Sequence, residues 1–135
     1  MKYKFLEHTA DAKFKAYGKT LEETYSNAAH AMFSVITDNK VKAVFSEEVF
    51  VRGKDLVSLL YNFLEELLFL FDTKSFLLAR VKDIEIHDFT LSATLEGDIN
   101  IDEYEVSGDV KAVTYNEMEV VEKDGHFEIQ AVVDL

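Results

Sequence analysis

Residues 56–71 carry Leu56, Leu59, Leu60, Phe63, Leu64, Leu67, Leu68, Leu70 and Phe71 at helical spacing. A surface helix shows a single apolar stripe, whereas these side chains cover more than one face. Such a helix must be covered from more than one direction, so it belongs between layers. Gly53-Lys54-Asp55 opens it, and it is expected to run from about Lys54 to Phe71. The stretch is too short to cross a bilayer and contains Asn62, Glu65 and Glu66, so it reads as a core helix and not as a membrane segment.

What covers this helix must come from the rest of the chain, most of which has the period of strands. Residues 2–6 form a plausible first strand, and residues 12–17 alternate Ala, Phe and Ala with Lys, Lys and Tyr until Gly18 ends the pattern. Thr20 followed by Glu23 is a capping-box signature. Leu21, Tyr25, Ala28, Met32, Val35 and Ile36 then recur at helical spacing, which predicts a helix ending near Thr37 before the turn Asp38-Asn39-Lys40. Residues 41–45 and 49–51 predict two strands broken near Ser46-Glu47-Glu48. Beyond a turn at Asp72-Thr73-Lys74-Ser75, strands are expected over residues 76–81, 84–86, 89–95, 110–115 and 118–121, with a last one running from His126 to the end. Asp124-Gly125 between the final two is a two-residue hairpin signal. The expected fold is α+β, a single domain over residues 1–135 with an antiparallel-rich sheet packed with two helices and the long apolar helix at its centre.

Charge and composition exclude several functions. With 14 basic against 26 acidic residues the formal net charge is −12, which opposes tight binding of phosphate backbones. The absence of cysteine excludes disulfides, thiolate nucleophiles and cysteine-based metal sites. Met1-Lys2-Tyr3-Lys4-Phe5-Leu6 has no apolar secretion core, so a cytoplasmic location is expected. There is no Gly-rich phosphate loop, no Gly-x-Ser-x-Gly elbow and no pair of histidines four apart on a helix. His30, His87 and His126 read as structural or surface residues. Asp98, Asp102, Glu103, Glu105 and Asp109 read as an exposed, solvated acidic loop without the ligand spacing of an EF-hand.

Two segments at opposite ends of the chain stand apart. Leu6-Glu7-His8-Thr9-Ala10-Asp11 falls between two predicted strands, and Val132-Val133-Asp134-Leu135 closes the last one. On residue type alone Asp11 reads first as a turn cap. These segments, with Lys19-Thr20-Leu21-Glu22-Glu23, Asn27-Ala28-Ala29, Asp55-Leu56-Val57-Ser58-Leu59-Leu60, Phe63-Leu64-Glu65-Glu66-Leu67-Leu68, Gly97-Asp98 and Val110-Lys111-Ala112-Val113-Thr114-Tyr115, make the chain resemble the archease family over essentially its whole length.

The resemblance implies an accessory protein of tRNA splicing, without catalysis of its own, that activates an RtcB-type RNA ligase by promoting its guanylylation and turnover. It implies a divalent metal ion bound by Asp11, Asp134 and the terminal carboxylate of Leu135, and it implies that Lys111 and His8 serve partner activation. Many members follow the tyrosine of the Lys111 strand with histidine, where this chain has Asn116. An all-oxygen set suits calcium, magnesium or manganese and not a structural zinc. Crowded carboxylates repel one another, and a cation relieves that cost. The rival readings are a modulator of RNA-modifying enzymes such as a tRNA cytosine methyltransferase, an independent metal-dependent hydrolase, which lacks an evident nucleophile, base or pocket, and a metal that only staples the chain end.

Overall fold

The chain runs β1 (Tyr3–Leu6), β2 (Asp11–Gly18), α1 (Leu21–Ile36), β3 (Phe45–Arg52), α2 (Leu56–Lys74), β4 (Leu77–His87), β5 (Thr90–Asp98), β6 (Ala112–Lys123) and β7 (His126–Asp134). This is a computed structural model, which describes residues 1–6 and 11–135. The strands form two antiparallel sheets, β1-β2-β7-β6 and β3-β5-β4. The α+β class expected of the sequence holds. Helix α1 packs on β1, β2 and β7 of the first sheet and on β4 of the second, and α2 packs on β6 of the first and on β3 and β5 of the second. The two helices are thus the middle layer, which explains why Leu59, Leu60, Phe63, Leu64 and Leu67 are fully buried. No described helix is long and apolar enough to cross a membrane.

The helix ends follow local chemistry. Thr20 Oγ1 accepts the Glu23 N–H at 3.1 Å, while the Glu23 carboxylate accepts from Lys19 N–H at 3.2 Å, one residue before the usual partner of a capping box. Helix α2 has a reciprocal box of its own, with Ser58 N–H donating to Asp55 Oδ1 at 2.7 Å and Asp55 N–H to Ser58 Oγ at 3.1 Å. It continues past the expected end at Phe71 to Lys74, and Ser75 closes it in the left-handed conformation. Lys74 pairs with Glu47 at 2.5 Å, and a cation in the last turn complements the helix dipole.

Several expected breaks are absent. Ser46, Glu47 and Glu48 lie inside one continuous strand, β3, because the period-two alternation carries through them to the buried Val49 and Val51. The strands expected over 76–81 and 84–86 are both β4, which absorbs the polar interruption in register shifts and a left-handed Asp83 at φ 52°. Likewise the strands expected over 110–115 and 118–121 are one strand, β6, whose register with β7 is interrupted between Thr114 and Glu119, with Glu117 at φ 56°. Asp124-Gly125 joins β6 to β7 as expected, with both residues at positive φ. Asp88-Phe89 makes a second such turn between β4 and β5, in a position where a bulky aromatic gives no turn signal.

The acidic segment after β5 departs from expectation at its first residue. Asp98 is buried and not solvated, and it accepts from Asn100 N–H at 3.0 Å and from the Tyr104 hydroxyl at 2.7 Å. The Asn100 backbone bond and then the tyrosine hydroxyl hold its pKa below the ordinary carboxylate value. The segment is strapped to the end of α1: Thr37 Oγ1 donates to Glu105 O at 2.7 Å, and Ser107 N–H to Ile36 O at 2.9 Å. Gly108 passes so close to the helix that an added Cβ would lie 2.1 Å from Val35 O. This strap delivers the chain to Lys111, just before β6.

Candidate functional site

Strands β2 and β7 are the two central strands of their sheet, and their register brings together residues from opposite ends of the sequence. Phe14 lies opposite Ala131 and Ala16 opposite Ile129, all buried toward the helices. The alternate residues therefore face away from the helices, and the last pair on that face is Asp11 opposite Asp134. On the other side of β7, Ala112 of β6 is also aligned with Asp134, and Lys111 N–H donates to Asp134 O at 2.8 Å. Asp11, Asp134 and Lys111 thus meet at one end of one sheet.

Residues directly opposite in an antiparallel pair have Cβ atoms about 5 Å apart, and like charges so placed are destabilising. Asp11 is half-buried, with its Oδ1 shielded from solvent, while Asp134 is exposed. Two carboxylates at that spacing, one partly desolvated, form an all-oxygen donor set fitted to a hard cation. Leu135 follows directly and is 45% exposed. Among the described residues no three acidic or histidine side chains gather at a point. That count leaves open the set expected here, since its third oxygen donor is a main-chain carboxylate. His8 lies outside the described residues.

Sequence reasoning missed the neighbour of this pair. On the same face Lys13 Nζ meets Glu117 Oε1 at 2.9 Å, and Gln130 Nε2 donates to Glu117 O at 2.8 Å. The displaced part of β6 is therefore tied across β2 and β7 beside the carboxylate pair. The only signal was the polar Asn116-Glu117 between two predicted strands. The remaining histidines stand elsewhere: His126 Nε2 lies 3.2 Å from Glu128 Oε1, and His30 lines a separate cleft with Tyr3, Ser34 and Lys40. Burial, and then the nearby Lys2, lower the His30 pKa and favour its neutral form.

Comparisons with known proteins agree with this architecture. Residues 3–135 match the Archease protein family (MTH1598/TM1083). A protein archease of Methanosarcina mazei is 41% identical, with 99% of this chain and 96% of that one covered. The solution structure of Methanobacterium thermoautotrophicum protein 1598 superposes with a TM-score of 0.84 at 39% identity, covering 99% of both chains. The crystal structure of an archease from Thermotoga maritima, described as a possible chaperone, has a TM-score of 0.69 at 15% identity and covers 96% of this chain and 94% of its own, a likeness of fold.

Proposed function

Because the chain belongs to the archease family, we propose that it is a non-catalytic accessory protein of tRNA splicing that activates an RtcB-type RNA ligase by promoting guanylylation and turnover. The observation that carries this reading is the opposition of Asp11 and Asp134 across β2 and β7, with Lys111 bonded to the Asp134 carbonyl at the same sheet end. Asp11, Asp134 and the α-carboxylate of Leu135 hold a divalent cation, which when bound supplies positive charge for phosphate oxygens. Lys111, the residue that precedes the edge strand, serves to neutralise phosphate or to pair with a carboxylate of the ligase. Its main-chain bond to Asp134 ties its backbone to the sheet end that carries the carboxylates. His8 serves partner activation with Lys111 in this reading. The net charge of −12 suits a partner with a basic, RNA-binding surface and leaves the RNA to that partner.

The description of the Thermotoga relative as a possible chaperone supports the second reading, a modulator of RNA-modifying enzymes such as a tRNA cytosine methyltransferase. Guanylylation of the purified ligase, measured with and without this protein, separates the two. Stimulation that disappears with Asp11→Ala, Asp134→Ala or Lys111→Ala is the expected result. Unaltered guanylylation in the presence of the wild-type chain would refute ligase activation.

A further inference from the structure

Among the described residues four strands lie at sheet edges: β1 and β6 in one sheet, β3 and β4 in the other. An open edge presents unpaired backbone groups and is ordinarily blunted by shortness, bulges, proline or lysine. Strand β1 has only 4 residues. Strand β4 shifts register twice and turns through the left-handed Asp83, and β6 is interrupted around the left-handed Glu117. Strand β3 is neither short, bulged nor interrupted by proline or lysine, and its one inward-facing charge, Glu47, is matched by Lys74 of α2. Its sequence, Phe-Ser-Glu-Glu-Val-Phe-Val-Arg, pairs with β5 in one unbroken register from Phe45 to Arg52.

The direction of its backbone groups follows from the ladder. Gly53 N–H donates to Phe89 O at 2.9 Å just beyond the strand. Counting back in twos, Val51, Val49, Glu47 and Phe45 bond β5, so the N–H and C=O of Ser46, Glu48 and Phe50 point out from the sheet. Beside this edge α2 walls a groove of about 430 Å³ lined by Val51, Arg52, Asn62, Glu65, Glu66 and Phe69. Phe69 is 57% exposed and Phe50, on the outer face, 60%. Asn62 closes only the last carbonyl, donating to Arg52 O at 2.6 Å.

We propose that the free edge of β3 and the adjoining face of α2 form a strand-addition site for an extended segment of a partner protein. That segment carries lysine or arginine turned toward α2 and apolar residues turned toward Phe50. Its backbone pairs with Ser46, Glu48 and Phe50, and its side chains alternate between the groove and the outer face. Charge on the α2 side selects a basic segment: Glu66 forms no ion pair among the described residues and Glu65 receives only the Tyr61 hydroxyl, while Arg52, the one cation of the groove, lies over the Phe50 ring. A second copy fits poorly, because each copy carries −12 and the antiparallel registers centred on Glu48 or Glu47 set identical glutamates directly opposite one another. The site is separate from the Asp11–Asp134 pair and stands independently of the function proposed for it.

The test titrates the isotope-labelled full chain with a short blocked peptide alternating lysine and valine. The controls are its glutamate-valine counterpart and a lysine-valine peptide N-methylated at alternate amides. The lysine-valine peptide should shift and slow exchange of the Ser46, Glu48 and Phe50 amides, and both controls should fail. Glu66→Lys and Glu65→Lys, exchanges of non-core residues that preserve folding, should each weaken it by about two- to fivefold. Shifts on another face, equal binding of the glutamate peptide, or no shift at millimolar peptide would overturn the proposal. Protection of the same amides that grows with protein concentration alone would identify a second copy as the occupant and overturn the basic segment.

Discussion

Asp134→Asn isolates the charge of the opposed pair, because it keeps side-chain size and leaves Asp11 in place opposite it. Two carboxylates about 5 Å apart repel by about 1–3 kcal/mol for effective dielectric constants of about 80 down to 20. Asp134 is exposed, so the lower end applies. In a chelator the variant should therefore be no less stable than wild type and up to about 1 kcal/mol more stable, a rise in Tm of about 3–5 °C. A divalent ion should reverse the order. A ligand that binds only the folded state adds about 2.7 kcal/mol at one hundred times its Kd, and the variant, lacking one anionic oxygen, should gain much less. Calorimetric melting in EDTA and in millimolar calcium, magnesium and manganese reads both halves. A variant that is less stable than wild type in EDTA, and that responds to all three ions as wild type does, refutes the reasoning.

Appending residues after Leu135 converts the proposed third ligand to a neutral amide, so the extended protein should fold, yet lose the divalent rise in Tm and the stimulation of ligase guanylylation; retention of both removes the terminal carboxylate from the site. Gly108→Ala drives a Cβ to 2.1 Å from the Val35 carbonyl oxygen and should cost about 1–3 kcal/mol in urea unfolding, with weaker ligase stimulation because the strap to Lys111 shifts; a neutral substitution would mean the strap is slack. Because the pKa of Asp98 is depressed on folding, its contribution is complete above the unfolded value near about 4 and is lost as pH falls through the lower folded value. Asp98→Asn should therefore flatten the acid limb of a stability–pH curve, and an unchanged limb places the titrating groups elsewhere.

Local signals were enough to read the local structure. Thr20 with Glu23 marked the start of α1, Asp124-Gly125 marked the β6–β7 turn, and the many-sided apolar surface of α2 predicted a helix enclosed between layers. The errors came where a long-range contact outweighed a local preference. Ser46-Glu47-Glu48 looks like a turn, but pairing along the whole of β5 holds it extended, and Lys74 from the end of α2 reaches back to Glu47. Asp98 looked like one of several solvated acids, yet its hydroxyl partner Tyr104 is bound in turn by Lys42 N–H at 3.1 Å from a different segment. Asp11 and Asp134 were singled out by family resemblance. Their direct opposition is a matter of register between strands more than a hundred positions apart, which periodicity does not determine.

The two surfaces assigned here are places where the chain departs from rules it otherwise keeps. Helix starts are capped, hairpin turns take their left-handed residues, and three of the four sheet edges are short or broken. Against that background a carboxylate opposite a carboxylate and an unbroken open edge beside exposed phenylalanines stand out as locally unfavourable. The core tolerates them because each is backed by tightly buried residues: Phe14, Ala131 and Val133 behind the acidic pair, Val49, Val51 and Leu95 behind the edge. Local conflict retained on a well-packed support is what a binding site requires, since the ligand removes the conflict only when it is bound. A cation would do so for the first surface and a basic strand for the second. The two should therefore act independently: charge reversal at Glu66 should leave the divalent rise in Tm unchanged, and Asp134→Asn should leave peptide binding at β3 unchanged. Melting with calcium and peptide titration, run on both variants, would expose any cross-effect, and a substantial one would mean that the helix layer between the sheets couples the two surfaces.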